Sequence, residues 1–111
     1  MKKDYFEGVN FAVTICDKEG KIVDMNQKSK TTFLKNGESI IGNNLLDCHP
    51  EPAKSMLADM LANPRTNVYT IEKKGIKKII YQTPWYEGGE YAGFMEVSME
   101  IPFEMPHKIR G

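Results

Sequence analysis

Phe11-Ala12-Val13-Thr14-Ile15-Cys16-Asp17-Lys18-Glu19-Gly20-Lys21-Ile22-Val23-Asp24-Met25-Asn26 is the stretch that decides the fold. Phe11, Val13 and Ile15 alternate with Ala12, Thr14 and Cys16, so Val9 to Cys16 reads as a strand. Asp17-Lys18-Glu19-Gly20 reads as a hairpin turn, because glycine enters positive φ without a Cβ clash. Lys21 to Met25 returns as a second strand. Asn26 then opens a helix, its side-chain oxygen suited to accept from the free amides of a first turn.

Working outward, Gln27 to Lys35 is expected to be that helix, with Phe33 and Leu34 its main apolar residues and Asn36-Gly37 its stop. Ile40-Ile41 form a small apolar anchor. Gly42 to Pro52 then gathers a turn glycine, two asparagines, Cys48, His49, Pro50 and Pro52 in one span, and the chain changes direction there. Ala53, Met56, Leu57, Met60 and Leu61 follow at helical spacing. Pro50 or Pro52 suits the first turn of that second helix, Glu51 suits the positive end of its dipole, and Asn63-Pro64 ends it. Three strands come next: Thr66 to Glu72, Ile76 to Thr83 with Pro84 limiting its length, and Tyr91 to Glu100. Lys73-Lys74-Gly75 and Glu87-Gly88-Gly89-Glu90 are their turns. In the last strand Tyr91, Met95, Val97 and Met99 are expected on one face, and Phe94, Glu96, Ser98 and Glu100 on the other. Short connections make an antiparallel meander.

The class is therefore α+β, a five-stranded antiparallel sheet with helices covering one face. Residues 1–8 form an N-terminal flanking segment, 9–101 one domain, and 102–111 an irregular tail broken by prolines. Within 111 residues, Lys and Arg number 15 and Asp and Glu 15, so no net charge draws the chain to nucleic acid or to an anionic membrane. Lys73, Lys74, Lys77 and Lys78 read as charges that keep a hairpin from pairing with other strands. No segment reaches the ~20 apolar residues of a membrane span, and none resembles a signal peptide. The expectation is a soluble, cytoplasmic protein with free thiols at Cys16 and Cys48 and no metal site.

This order of elements resembles the PAS sensor family. The residues that carry the resemblance are Phe11 to Asn26, Ile40-Ile41-Gly42-Asn43-Asn44-Leu45 and Gly89-Glu90-Tyr91-Ala92-Gly93-Phe94. They match the family's Asp-x-x-Gly hairpin, its helix-opening asparagine and its connector glycine, and the likeness spans about residues 5 to 101. The resemblance implies a small cavity between sheet and helices, used in different PAS domains for haem, flavin, organic acids or nothing. It also implies pairing through the outer sheet face.

Cys48, His49, Met56, Tyr81 and Phe94 are the candidate ligand-binding residues. Soft and aromatic side chains suit a variable ligand, and Met60, Tyr69 and Met95 belong to the same set, although all of these also suit an ordinary core. Trp85, beside Pro84 and Tyr86, is expected at a sheet end or interface. By the resemblance, His49 could ligate haem iron, although it lies slightly early for the helix that carries that ligand; otherwise it bonds the turn before Pro50. Leu46-Asp47-Cys48-His49-Pro50 lacks the arginine and glutamine of the flavin-binding motif, so flavin is not expected. Cys48 at a helix start could instead be a redox-sensitive thiol. No nucleophile with a positioned base, no paired carboxylates and no phosphate loop is evident, so no enzyme is expected. The function expected is a sensory module that binds a small ligand and signals through a homodimer and a partner protein. The alternatives are a haem-based redox or gas sensor using His49, and a ligand-free dimerisation scaffold.

Overall fold

One asparagine shows why the first strands and the first helix begin where they do. The structure, a computed structural model, describes residues 4–33 and 40–111. Its regular elements are β1 (Ala12–Asp17), β2 (Ile22–Met25), α1 (Gln27–Thr32), a 3-10 helix (Leu45–Cys48), α2 (Ala53–Ala62), β3 (Asn67–Lys73), β4 (Ile76–Glu87) and β5 (Glu90–Ile101). Asn26 Oδ1 accepts from the amides of Val13 and Ser29, both at 3.0 Å. Its Nδ2 donates to the carbonyls of Phe6 and Phe11 at 2.8 and 2.9 Å. A single amide thus caps α1 and clamps the N-terminal segment onto β1. Because the Phe11 carbonyl is engaged there rather than in a ladder, β1 starts three residues later than the expected Val9.

Asp17 carries the hairpin turn, its Oδ1 accepting from the Glu19 and Lys21 amides at 3.0 and 2.9 Å, while Gly20 takes φ of +86°. The connector is fastened to this hairpin. Leu45 N donates to the Gly20 carbonyl at 2.7 Å, and Ile22 N to that of Asn43 at 2.9 Å. Asn44 Oδ1 accepts from Leu46 N at 2.9 Å and starts the 3-10 helix. The expected end of α1 at Lys35, Leu34 beside it, and the stop at Asn36-Gly37 lie outside the described residues. What α1 buries is Ser29, whose hydroxyl meets that of Thr14, while Phe33 is exposed.

The five strands form one antiparallel sheet in the order β2-β1-β5-β4-β3. Two expectations change. Pro84 does not end β4, which runs on to Glu87. Pairing with β3 has finished at Gln82, so Pro84 sits where β4 has one neighbour only and a missing N–H costs least. In β5, Trp85 pairs with Gly93 and Tyr86 with Tyr91, leaving Ala92 as an extra residue. This bulge turns Tyr91 onto the same face as Phe94, against the expected alternation; their rings meet edge to face at 6.1 Å. Gly93 is required at the bulge, because the Cys16 carbonyl and the Trp85 indole lie directly over it. That indole donates to the Cys16 carbonyl at 3.0 Å, at the sheet end expected for Trp85.

The core lies between the β2-β1-β5 side of the sheet and the helical layer. Cys16, Ile22, Met25, Leu45, Leu57, Met60 and Phe94 close it, Ile22 being fully buried. Tyr91 ties α2 to the sheet by donating its hydroxyl to the Leu61 carbonyl at 3.1 Å.

Candidate functional site

Strand alternation and helical spacing together build a pocket beside this core. On β3 and β4 every second residue faces α2, which brings Asn67, Tyr69 and Gln82 to one wall. Ala53, Met56, Leu57 and Met60 recur three to four residues apart on α2 and form the other. His49 and Pro52, where the connector enters α2, complete the lining. The space they enclose is about 370 Å³. A smaller cavity of about 20 Å³ lies deeper, bounded by Cys16, Leu57, Phe94, Gln82 and Glu96.

The helix over this pocket is held at its ends. At its start the Glu51 carboxylate accepts from Ser55 N at 2.9 Å and Ser55 Oγ at 2.6 Å. Those bonds, side chain first, hold the Glu51 carboxyl below the usual carboxylate range. At its far end Tyr91 bonds Leu61, and the Tyr91 phenol is pushed up, first by burial and then by the nearby Cys16 thiol. Between these anchors Met56 is 50% exposed and Met60 2%.

Polar groups cross the sheet wall in a chain. Gln82 Nε2 donates to Glu96 Oε2 at 2.9 Å, and Asn67 Nδ2 donates to Gln82 Oε1 at 3.0 Å. At the mouth His49 Nδ1 lies 2.9 Å from the Leu45 carbonyl. A carbonyl only accepts, so Nδ1 carries a proton there, and in the neutral ring Nε2 is the lone-pair nitrogen.

Of the sequence candidates, His49 and Met56 meet in the pocket. Phe94 lies instead in the closed core and borders the smaller cavity. Tyr81 is on the opposite sheet face, because its neighbours Ile80 and Gln82 both point inward; it is therefore removed from the pocket wall. Cys48 belongs to the 3-10 helix, and its side chain lies outside the described residues. Met60 and Tyr69 do line the pocket. Sequence reasoning missed Asn67, Gln82 and Glu96. The available signal was a glutamine in phase with Ile80, where an apolar residue is the usual choice. Cys16 is a closed-in thiol, pushed above the ordinary thiol range first by burial, which suits packing rather than reaction. Among the described residues no three acidic, histidine or cysteine side chains gather as a metal site, and no helix is long and apolar enough to cross a membrane.

Comparison with known proteins agrees with this geometry. No curated protein matches the sequence. Solved structures match it closely in shape. A sensory box sensor histidine kinase from Vibrio cholerae superposes with a TM-score of 0.65 at 18% identity, over 86% of this chain and 85% of that one. The PAS domain of Bordetella pertussis BvgS gives 0.65 at 15% identity, over 87% and 81%. The Aer2 receptor from Vibrio cholerae, described as a dual PAS-haem oxygen sensor, gives 0.59 at 22% identity, over 86% and 98%. The family described as the PAS fold matches residues 6–67, more than half of the sequence. The chain belongs to the PAS family.

Proposed function

We propose that this PAS domain is a sensory module without a reaction of its own. It binds a small molecule between α2 and the sheet and passes the event on through protein contacts. One observation carries the reading: a pocket of about 370 Å³ with an apolar helix on one side and a few convergent polar groups on the other. Ligand sites commonly measure about 300–1,000 Å³ and have this composition. Met56, half exposed above the space, is the side chain a ligand would cover. To signal, the ligand must bind one packing of α2 more tightly than another. The outer sheet face, where Val68 and Tyr81 are exposed, is the surface on which a second copy or a partner would read that change.

Native mass spectrometry of freshly purified protein tests the binding step. A retained small molecule is expected in the wild type and not in Met56→Trp, whose indole would fill the space. Equal ligand in both, or none after incubation with cell extract, contradicts it.

His49 supports haem as a second reading, because its Nδ1–H is held by a carbonyl as an iron-ligating imidazole requires. The fit is partial: among the described residues lining the pocket, none is a lysine or arginine to meet haem's carboxylates. A haem titration should give a sharp Soret band that His49→Ala abolishes; a spectrum identical for both proteins removes this reading.

A further inference from the structure

The direction of the polar chain in the sheet wall says what kind of molecule the pocket takes, an inference that rests on the pocket being a ligand site. The Glu96 carboxylate can only accept, so Gln82 must turn its NH₂ toward it. Gln82 Oε1 then faces Asn67 and accepts, so Asn67 must present its own NH₂ there. The carboxylate thereby sets the orientation of both amides, and in Asn67, a residue of the pocket lining, the oxygen is the amide atom that this chain does not use. Gln82 is 5% exposed, so this chain sits in a water-poor wall where its polarity is weakly screened. The negative field reaches the pocket surface: the Tyr69 phenol is pushed up by burial first and by Glu96 second. At the mouth, His49 Nε2 is a further acceptor in the neutral ring. The α2 side of the lining is formed by Ala53, Met56, Leu57 and Met60. No lysine or arginine is among the described lining residues.

We propose that the pocket selects a small molecule with an apolar body and a hydrogen-bond-donating nitrogen, such as a primary or aromatic amine, and rejects organic acids. The apolar body lies against the methionines of α2. The nitrogen donates to the Asn67 oxygen, in the field of Glu96. An organic acid would bring its charge toward the fixed Glu96 carboxylate, with no cation among the described lining residues to offset it.

Three probes with one apolar body test this: 2-phenylethylamine, 2-phenylethanol and phenylacetate, each titrated into the 15N-labelled full chain at neutral pH. The amine is expected to shift the amides of His49, Met56, Asn67 and Tyr69, with phenylacetate at least about tenfold weaker and the alcohol between them. Glu96→Gln keeps an acceptor for Gln82 but removes the charge, and should reduce the amine's advantage to about twofold. Phenylacetate binding these residues as well as the amine, or a preference unchanged in Glu96→Gln, overturns the assignment of ligand class while leaving the pocket as a binding site. If none of the three probes moves pocket amides, both the ligand class and the pocket reading fail.

Discussion

Met56 and Met60 stand about one turn apart on α2, yet one is 50% exposed and the other 2%. They mark two regions of one small domain. On the β2-β1-β5 side the sheet, connector and α2 close over Cys16, Ile22, Met25 and Met60, with short hydrogen bonds tying the hairpin to the connector. On the β3-β4 side the same helix stands away from the strands, and Tyr69 and Ile71 remain more than a third exposed on or near the inner wall. The difference separates a frame from a receptor. Burial in the first region stabilises the fold, and its absence in the second leaves apolar surface that a ligand can cover.

The widest gap between the two regions should appear on substitution of Gly93. A Cβ there would lie 2.0 Å from the Cys16 carbonyl oxygen and 2.9 Å from the Asp17 carbonyl carbon. Gly93→Val is expected to cost more than ~4 kcal/mol and to leave little folded protein by circular dichroism. Next comes the methionine pair itself. Met60→Ala should lower stability in urea by about 2–5 kcal/mol, and Met56→Ala by less than ~1 kcal/mol while weakening ligand binding. Equal losses would mean that the pocket side is as closed as the core. Asn26→Ala removes the cap of α1 and the clamp on Phe6 and Phe11, and should cost about 2 kcal/mol.

The smallest effect is a pH dependence that begins in the frame. Cys16 holds its proton in the fold to a higher pH than in the unfolded chain, because burial disfavours the thiolate. As pH rises past about 8.5 the unfolded thiol ionises first, so stability falls from there until the folded thiol also titrates. Tyr69 and Tyr91, raised in the same direction, extend the fall above about pH 10. Urea midpoints followed from pH 8 to 10 should decline in the wild type and be flatter in Cys16→Ser, whatever that variant's absolute stability.

How far the sequence could be read follows the same division. Asp17, Gly20 and the cap that Asn26 places on Ser29 act within a few residues, so the hairpin and the opening of α1 are legible from local chemistry, whereas the Asn26 clamp on Phe6 and Phe11 is not. The α2 face was also legible from its spacing. Register was not. Pro84 reads as a stop because nothing in the sequence says that β3 ends first, and simple alternation puts Tyr91 on the wrong face because the bulge at Ala92-Gly93 shifts the phase. Tyr81 is a candidate by residue type alone, and Gln82 is not among the sequence candidates. Only sheet order aligns Asn67, Gln82 and Glu96 across three strands, so the polar half of the site needed the structure.

Hydrogen–deuterium exchange on the free protein and with 2-phenylethylamine is the most direct measurement of this division. The account predicts slow exchange in β1 and β5 in both states, and faster exchange in α2 and β3 that slows on adding the amine. Protection of α2 and β3 equal to that of β5 in the free protein, or an amine effect centred on β1 and β2, would contradict it.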